Sequence, residues 1–335
     1  TRFVSTTKIY DTDISENTAL TAVYNATDQC VIPEVIATDT TLSKDCSPYL
    51  VQGNVTVESN ATLTVEAGVE IWMPLAGNII VKGRLNAIGT DDNRIVFKRN
   101  PDTETGSWGA LLFQHTAEPS SLKYTRLEAA SQGPDPVFDI AAISAFDADL
   151  VLDHLTIENV KSNPITARYS DITLTNSKLH SEVTGDCINV KYGKARIENC
   201  QFLGNDQPDT DAIDYDGIEG GVIKNCFMSN FRGFNSDAID IGEKSKDLVI
   251  DSIVVCNITD KGVSLGQRST ASIKNAVFIN CNKGVAVKDS SNVSINRSVF
   301  YNNMDAVACY EKNLGSAGGN AIVTNSILSN SSNKP

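Results

Sequence analysis

A repeat of 22–26 residues runs through the second half of the sequence and restricts the fold more than any other feature. Aliphatic residues open a short apolar–polar–apolar run in each repeat, at Ile188, Ile213, Ile239, Val263, Val285 and Val307. Two further apolar columns follow, at Ile197, Ile223, Ile250, Ile273 and Ile295, and at Phe202, Met228, Val254, Phe278 and Phe300. Such alternation is typical of half-buried strands. The pattern therefore predicts three short strands in every repeat.

A single coil of this length cannot bury its own inward residues, so it needs neighbours. Stacking coils about 4.8 Å apart completes both the backbone ladders and the core. Weaker matches to the same register extend upstream to about residue 50. We therefore predict an all-β chain with one parallel β-helix of about eleven coils over residues 50–335. Residues 1–49 lack the period, and we expect them to form an irregular N-terminal cap or arm.

The pattern resembles the right-handed β-helix superfamily, which includes pectate lyases, polygalacturonases and many bacterial surface proteins. Residues 81–90 (VKGRLNAIGT), followed by 95–97 (IVF) and 106–109 (GSWG), are similar to the opening coils of secreted bacterial β-helix proteins. The resemblance implies a right-handed coil and an extracellular or cell-surface location. It leaves the chemistry open, because this fold carries lyases, hydrolases, adhesins and phage spikes.

Charge restricts the partners of this chain. With 28 Lys and Arg against 41 Asp and Glu, the net charge is −13. Nucleic acid is excluded as a partner, because phosphate binding needs a face rich in Lys and Arg. No stretch approaches the roughly 18 consecutive apolar residues of a spanning helix, so we predict no membrane insertion.

The cysteines point to an oxidising compartment. Cys30 and Cys46 lie in the non-repetitive segment and could close a small disulfide loop. Cys200 and Cys226 share one column, as a stacked thiol pair or a disulfide. Since the sequence begins at Thr1, we expect a removed leader or a fragment of a longer protein.

The sharpest local feature is acidic. Residues 205–240 hold eight acidic and two basic side chains. The aligned register places Asp214 and Asp240 outward on neighbouring coils, with Asp216 two residues along the same strand. Asp211 and Asp237 precede the equivalent strands and should also stack.

Stacked carboxylates repel one another unless something compensates their charge. Three compensations are open from the sequence. A Ca²⁺ ion could bind oxygens of this cluster, because hard cations prefer carboxylates. One carboxyl could keep its proton and act as a general acid opposite an ionised partner. The third possibility is a solvated acidic face. The predicted metal ligands are Asp211, Asp214, Asp216, Asp237 and Asp240.

A polysaccharide lyase would need a base that removes the proton next to a uronate carboxylate, with Ca²⁺ neutralising that carboxylate. The candidate catalytic residues for this reaction are Lys191, Arg268 and Lys288. Lys191 lies in the column of Asp216, one coil earlier. Arg268 and Lys288 lie one and two coils beyond Asp240. Ordinary ion pairing with the neighbouring acids is the alternative role for all three.

Comparison with the polygalacturonases gives a partial match. Residues 235–237 (Asn-Ser-Asp) resemble their Asn-Thr-Asp motif. The next coil, residues 259–262 (Thr-Asp-Lys-Gly), has no Asp-Asp pair, and no histidine follows it. Because the Asp-Asp pair and the downstream histidine are missing, we consider an acid-pair glycoside hydrolase less favoured than the other functions.

We therefore predict an extracellular or cell-surface structural or adhesive protein whose acidic, calcium-compatible face contacts polysaccharide or other copies of itself. The alternative is a calcium-dependent lyase of a uronic-acid polymer. Alternating Phe3, Ser5, Thr7 and Ile9 could add as a strand to the open C-terminal end of another copy, which would build a head-to-tail homopolymer. Candidate aromatic residues for stacking on sugar rings are Trp72, Trp108, Tyr192, Tyr215 and Tyr310.

Overall fold

The structure is a computed structural model, and it describes residues 2–4, 9–11, 30–103 and 105–333. A 3-10 turn occupies Lys44–Cys46. The strands of this part of the chain are β1 (Arg2–Val4), β2 (Ile9–Asp11), β3 (Cys30–Val31), β4 (Val35–Ile36), β5 (Thr40–Leu42), β6 (Tyr49–Leu50), β7 (Val55–Val57), β8 (Thr62–Val65), β9 (Glu70–Met73), β10 (Ile79–Val81), β11 (Arg84–Ile88), β12 (Ile95–Arg99), β13 (Leu111–Gln114), β14 (Ser120–Lys123), β15 (Thr125–Glu128), β16 (Ala141–Phe146), β17 (Leu150–Asp153), β18 (Thr156–Glu158), β19 (Asn163–Arg168), β20 (Ile172–Thr175), β21 (Lys178–His180), β22 (Ile188–Lys191), β23 (Ala195–Glu198), β24 (Gln201–Leu203), β25 (Ile213–Asp216), β26 (Val222–Lys224), β27 (Phe227–Ser229), β28 (Ile239–Gly242), β29 (Leu248–Asp251), β30 (Val254–Leu265), β31 (Thr270–Lys274), β32 (Val277–Lys288), β33 (Asn292–Asn296), β34 (Val299–Tyr301), β35 (Asp305–Tyr310), β36 (Asn320–Thr324) and β37 (Ile327–Ser329).

Parallel pairing joins strands of successive coils into three ladders. The first ladder contains β4, β7, β10, β13, β16, β19, β22, β25, β28, the C-terminal parts of β30 and β32, and β35. The second contains β5, β8, β11, β14, β17, β20, β23, β26, β29, β31, β33 and β36. The third contains β3, β6, β9, β12, β15, β18, β21, β24, β27, the N-terminal parts of β30 and β32, β34 and β37.

The predicted fold, a single right-handed parallel β-helix, is confirmed. The second ladder has 12 strands, one in each coil, where the sequence predicted about eleven coils. The register also agrees with the prediction. Ile213 pairs with Ile239, Ile239 pairs with Val263, and Val263 pairs with Val285.

The parallel ladders begin at Cys30, so they include residues 30–49, which the repeat pattern left outside the coils. Here β3 pairs with β6, β4 with β7 and β5 with β8. The disulfide between Cys30 and Cys46 is confirmed, with 5.8 Å between the Cα atoms. Strands β3, β4 and β6 have only two residues each, too few for an alternating pattern to show in the sequence.

The N-terminal segment pairs with itself in this structure. Strand β1 is antiparallel to β2, with Phe3 opposite Tyr10 and Val4 opposite Ile9. Ser5 and Thr7, which the sequence placed in one alternating strand with Phe3 and Ile9, lie outside the described residues. Residues 2–4 and 9–11 therefore form a strand pair here and not one alternating strand.

Inward residues form continuous columns in the core, because like positions of successive coils lie directly above one another. Ile213 and Ile239 are fully buried in one such column. Phe278 and Phe300 stack in another, with ring centroids 4.9 Å apart and planes 14° apart. Burying each large side chain of this kind contributes roughly 1.5–3 kcal/mol. The columns thus hold each coil to the next.

Asparagine turns connect the second and third ladders. Asn199, Asn225 and Asn275 have φ angles of 56°, 52° and 53°, the left-handed conformation that Asn tolerates well. The Asn225 amide donates to the Asn199 carbonyl oxygen at 3.2 Å. The turns of successive coils are therefore stacked like the strands, and hydrogen bonds between their Asn side chains link them.

The stacked phenylalanine pair gives a test of core packing. We expect Phe278→Ala to lower the free energy of unfolding by about 3–5 kcal/mol, because it leaves a cavity and removes a stacking partner. Tyr301→Ala is the control, since Tyr301 is half exposed, and it should change stability by less than about 0.5 kcal/mol. Chemical denaturation measures both, and equal losses in the two variants would contradict the assigned register.

Candidate functional site

The acidic side chains lie on the outward face of the first ladder and its entry turns, in four successive coils. We call this surface the acidic face; its residues are Asp186, Asn189, Lys191, Asp211, Asp214, Asp216, Asp237, Asp240 and Lys261. Within it, Asn189 pairs with Asp214, and Asp214 pairs with Asp240. Lys191 pairs with Asp216 in the next column. The register that the sequence predicted for these residues is therefore correct.

The entry turns carry a column of three aspartates that bind backbone of the following coil. The Asp211 N–H donates to Asp186 at 3.1 Å, and the Asp237 N–H donates to Asp211 at 2.6 Å. The Lys261 N–H donates to Asp237 at 2.8 Å. Each carboxylate thus satisfies an amide at the start of a strand. Asp211 and Asp237 therefore hold the start of the next strand, a structural role that the sequence did not predict for them.

Lysine ends the aspartate column. The Lys261 Nζ lies 3.3 Å from both carboxylate oxygens of Asp237 and also contacts Asp260. Both Lys261 and Asp237 are buried. Burial raises the pKa of Asp237 to about 7 even with this cation beside it. For Lys261, burial opposes the charge, but the two carboxylates hold its pKa above the usual range.

Asp214 is the most strongly perturbed carboxyl of the second column. Its neighbours on the two sides are Asn189, whose amide donates to it, and Asp240. The same amide donates to Asp186 at 3.0 Å. Burial, followed by the charges of Asp186, Asp216 and Asp240, raises the pKa of Asp214 to about 9. Asp214 therefore keeps its proton at neutral pH.

The third column pairs opposite charges. Lys191 makes an ion pair with Asp216, and both side chains are largely buried. Burial raises the pKa of the Asp216 carboxyl, while Lys191 opposes that shift. Beside them, Tyr192 packs against Gly217, where an added Cβ would lie 2.5 Å from the ring, and its hydroxyl contacts Glu243. Gly217 has φ +63°, so the close approach and the backbone both favour glycine.

The candidate lyase bases occupy different settings. Lys288 is buried, its Nζ donates to Ser264 Oγ at 2.6 Å, and burial lowers its pKa. Lys191 is held protonated by Asp216, because that carboxylate raises its pKa against the effect of burial. Arg268 is exposed, with its backbone N–H donating to the Asp289 carbonyl at 2.9 Å. Only Lys288 has the lowered pKa that suits a base.

The five predicted Ca²⁺ ligands lie in the first ladder and its entry turns. In the described residues, no three His, Cys, Asp or Glu side chains come together as a metal site. One oxygen each of Asp211 and Asp237 accepts backbone N–H groups. Ca²⁺ and its five predicted ligands stay a prediction from the sequence.

Two of the aromatic residues proposed for sugar stacking are in the core. Trp108 and Tyr215 are fully buried, so that prediction was wrong for both. Period-2 alternation explains Tyr215, which sits at an inward position between Asp214 and Asp216. Tyr192 is exposed at the edge of the acidic face.

Sequence reasoning missed Asp186, Asn189 and Lys261. The signal was present, because Asp186 precedes Ile188 by two residues just as Asp211 precedes Ile213. Lys261 stands at the same offset from Val263 in a later coil. Cys200 and Cys226, in neighbouring coils, are free buried thiols and not a disulfide.

The raised pKa values of the carboxyls predict how stability depends on pH. A carboxyl whose pKa is raised by folding stabilises the native state fully below its unfolded pKa of about 3.9. That stabilisation is lost as pH rises through the folded values of about 6 for Asp186, 7 for Asp237 and 9 for Asp214. We expect the free energy of unfolding to fall by at least about 1.4 kcal/mol between pH 5 and pH 8, the worth of one pKa unit.

Asp214→Asn should flatten this pH dependence, because the amide cannot ionise. Asp206→Asn, an exposed aspartate in the same segment, is the control and should leave the slope unchanged. Denaturant unfolding at a series of pH values measures both. Stability that rises between pH 5 and pH 8 would contradict the account.

Several solved structures are similar to this chain at low sequence identity. The catalytic domain of Agl-KA matches with a TM-score of 0.39 and 12% identity over 82% of this chain and 62% of that one. The catalytic unit of a GH87 α-1,3-glucanase from Streptomyces thermodiastaticus matches with 0.37 and 14% over 90% and 63%. The mannuronan C-5 epimerase AlgE4 A-module from Azotobacter vinelandii matches with 0.39 and 10% over 82% and 88%. This chain thus spans less than two thirds of the first two.

Comparison with known sequences and protein families identifies the family of this chain. No curated protein sequence matches it. Among the described residues, no helix is long and apolar enough to cross a membrane. A family model described as a right handed beta helix region matches residues 141–333, more than half of the chain and all of the acidic face. The protein belongs to the right-handed β-helix family.

Proposed function

We propose that the acidic face binds a polysaccharide outside the cell and cleaves its glycosidic bonds by acid–base chemistry, with Asp214 as the acid. The observation that carries this proposal is the setting of Asp214. It stands between Asn189 and Asp240 in its column and two residues from Asp216, so other carboxyls surround it while an amide is its hydrogen-bond donor. A purely adhesive surface has no need of a carboxyl held in its protonated form.

Two carboxyl groups with different protonation states are what glycoside hydrolysis requires. Asp214 supplies the proton to the leaving glycosidic oxygen. Asp240, one strand spacing of about 4.8 Å along the ladder, is the second carboxyl of the pair. It attacks the anomeric carbon as the bond to the leaving oxygen breaks, and water, giving a proton back to Asp214, then hydrolyses the glycosyl ester. The Asp240 Oδ1 accepts the Ile241 N–H at 3.0 Å, which fixes the carboxylate against its own strand. Lys191 balances the charge of Asp216 beside them.

The extracellular part of the proposal rests on the disulfide. Cys30 and Cys46 are joined in the first coil, and disulfides persist in oxidising compartments. The net charge of −13 is also compatible with a soluble surface facing glycans. Head-to-tail self-association stays a prediction from the sequence.

The second candidate is the polysaccharide lyase, and the observation that favours it is Lys288. Its buried amine has a lowered pKa and one neutral partner, Ser264, so it is suited to remove a proton. Lys288 lies three coils beyond Asp214 along the ladder, so the two candidate reactions would use different sites. A uronate polymer would meet repulsion on the acidic face unless a cation bridged it.

A panel of neutral and uronic-acid polysaccharides tests both reactions. We expect new reducing ends without unsaturated ends, and we expect Asp214→Asn to lower kcat at least about 100-fold, the contribution of a general acid. Because the acid must be protonated, kcat should also fall as pH rises through about 9.

Asp206→Asn is again the matched control and should keep full activity. Unsaturated ends that require Lys288 would transfer the function to the lyase. Binding of a polysaccharide without any product would leave the adhesive role that the sequence first suggested.

A further inference from the structure

The outer surface of the third ladder carries a row of apolar side chains in five successive coils. Each coil has an apolar residue at the same outward position of its strand, and parallel pairing places the five side by side. We call this row the apolar stripe; its residues are Phe227, Val254, Val277, Val299 and Ile327. Phe227, Val254 and Ile327 are exposed, and the other two are partly exposed. The stripe is therefore continuous and accessible from outside.

The surface around the apolar stripe is almost free of charge. The five segments that carry it are residues 225–230, 252–257, 275–280, 297–302 and 325–330, and they contain one charged side chain, Arg297. Arg297 lies at the border of this surface, where its Nε donates to Asn275 Oδ1 at 3.2 Å. Because the whole chain has a net charge of −13, its excess of acidic groups is located on other surfaces.

A ladder of asparagine side chains forms one edge of the same surface, at the exit of the third ladder. The amide of each asparagine donates to the side-chain oxygen of the asparagine in the preceding coil, at distances of 3.2, 3.0, 2.7 and 2.8 Å. The residues are Asn230, Asn257, Asn280, Asn302 and Asn330. These amides thus bind one another in a straight row, and the edge of the surface follows the spacing of the strands.

The size of the surface suits a weak protein contact. Five coils at about 4.8 Å each give a length of about 24 Å, and the width of each segment, at about 3.3 Å per residue, is about 17 Å. The footprint is therefore about 400 Å². Stable complexes bury about 800 Å² on each partner, whereas transient ones bury less. A contact on this surface should accordingly form and separate readily.

A second copy of this chain is the occupant that the charge distribution favours. A nucleic acid, an anionic membrane or a basic peptide would find almost no charge here with which to pair. A glycan would have to compete for amides that already bind one another. Two copies of the chain repel each other through their acidic surfaces, but charges more than about 8–10 Å apart are largely screened at physiological salt. The uncharged surface is thus where two copies can meet at the least electrostatic cost.

We propose that this surface joins two copies of the chain side by side in a reversible two-fold dimer. A two-fold contact uses the same surface on both subunits, so the apolar stripe of one copy packs on the apolar stripe of the other, with Val277 at the centre. This contact closes after two copies and uses the side of the coils, unlike the head-to-tail homopolymer predicted from the sequence. None of its residues belongs to the acidic face, so the inference goes beyond the proposed function and is independent of it.

Sedimentation velocity between about 5 and 500 µM protein tests the dimer. We expect the average mass to rise with concentration towards twice that of the monomer. Added salt should strengthen the association, because it screens the repulsion between two acidic copies. Val254→Asp should weaken it at least about tenfold, because the dimer would bury an unpaired carboxylate from each copy. Val249→Asp is the matched control, since Val249 lies at an outward, partly buried position of the second ladder, and it should leave association unchanged.

The unmodified chain supplies a second measurement that does not depend on how the variants fold. Cys256 lies two residues after Val254 on the same surface and is partly exposed, whereas Cys309 is an exposed thiol of the first ladder. We expect alkylation of Cys256 by iodoacetamide to slow at least about threefold at the highest protein concentration, relative to Cys309. A monomer at every concentration, an association that survives Val254→Asp, or equal alkylation of Cys256 at all concentrations would overturn the inference.

Discussion

Hydrogen bonding between successive coils in strict register is the constraint on which the rest of this structure depends. Each coil leaves its backbone and its inward side chains unsatisfied until the next coil lies about 4.8 Å above it. Register then forces equivalent positions into columns. In the core this brings Ile213 over Ile239 and Phe278 over Phe300, and side chains of similar shape pack well on one another. The same register brings Asp214 over Asp240, where two neighbouring carboxylates repel each other.

The chain offsets that cost in three different ways within a few coils. Asp211 and Asp237 accept backbone N–H groups of a strand, which offsets part of the cost of burying the two carboxyls. Burial still raises the pKa of both. Asp216 takes Lys191 as its counter-ion. Asp214 has only the Asn189 amide and retains its proton. The same register in three columns thus yields carboxyls that bind the backbone, an ion pair and a proton donor.

The register could be read from the sequence because period-2 alternation and the spacing of 22–26 residues both survive in the coils after Ile188. It placed Asp214, Asp240, Asp216 and Lys191 in their correct columns. The first coil could not be recognised from the sequence, since β3 and β4 are only two residues long. The same alternation places Tyr215 inward, so its prediction as an exposed sugar-stacking residue conflicted with the register.

What the sequence could not show was the direction of side chains at the entry turns and at strand ends. Asp211 and Asp237 were expected to share a cation, but at a turn the carboxylate reaches the backbone of the next coil. Lys288 was expected on the outer face, and it is buried against Ser264. These outcomes depend on turn geometry and on burial of long side chains, which spacing alone does not specify.

The central claim is that burial in a stacked column, together with the carboxyls that register brings beside it, turns an ordinary aspartate into a proton donor. The direct measurement is a pH titration of the Asp214 carboxyl carbon by nuclear magnetic resonance on the whole chain, assigned by comparison with Asp214→Asn. The account predicts a carboxyl that remains protonated at neutral pH and titrates near 9. Titration near 4, the range of an isolated aspartate, would contradict it.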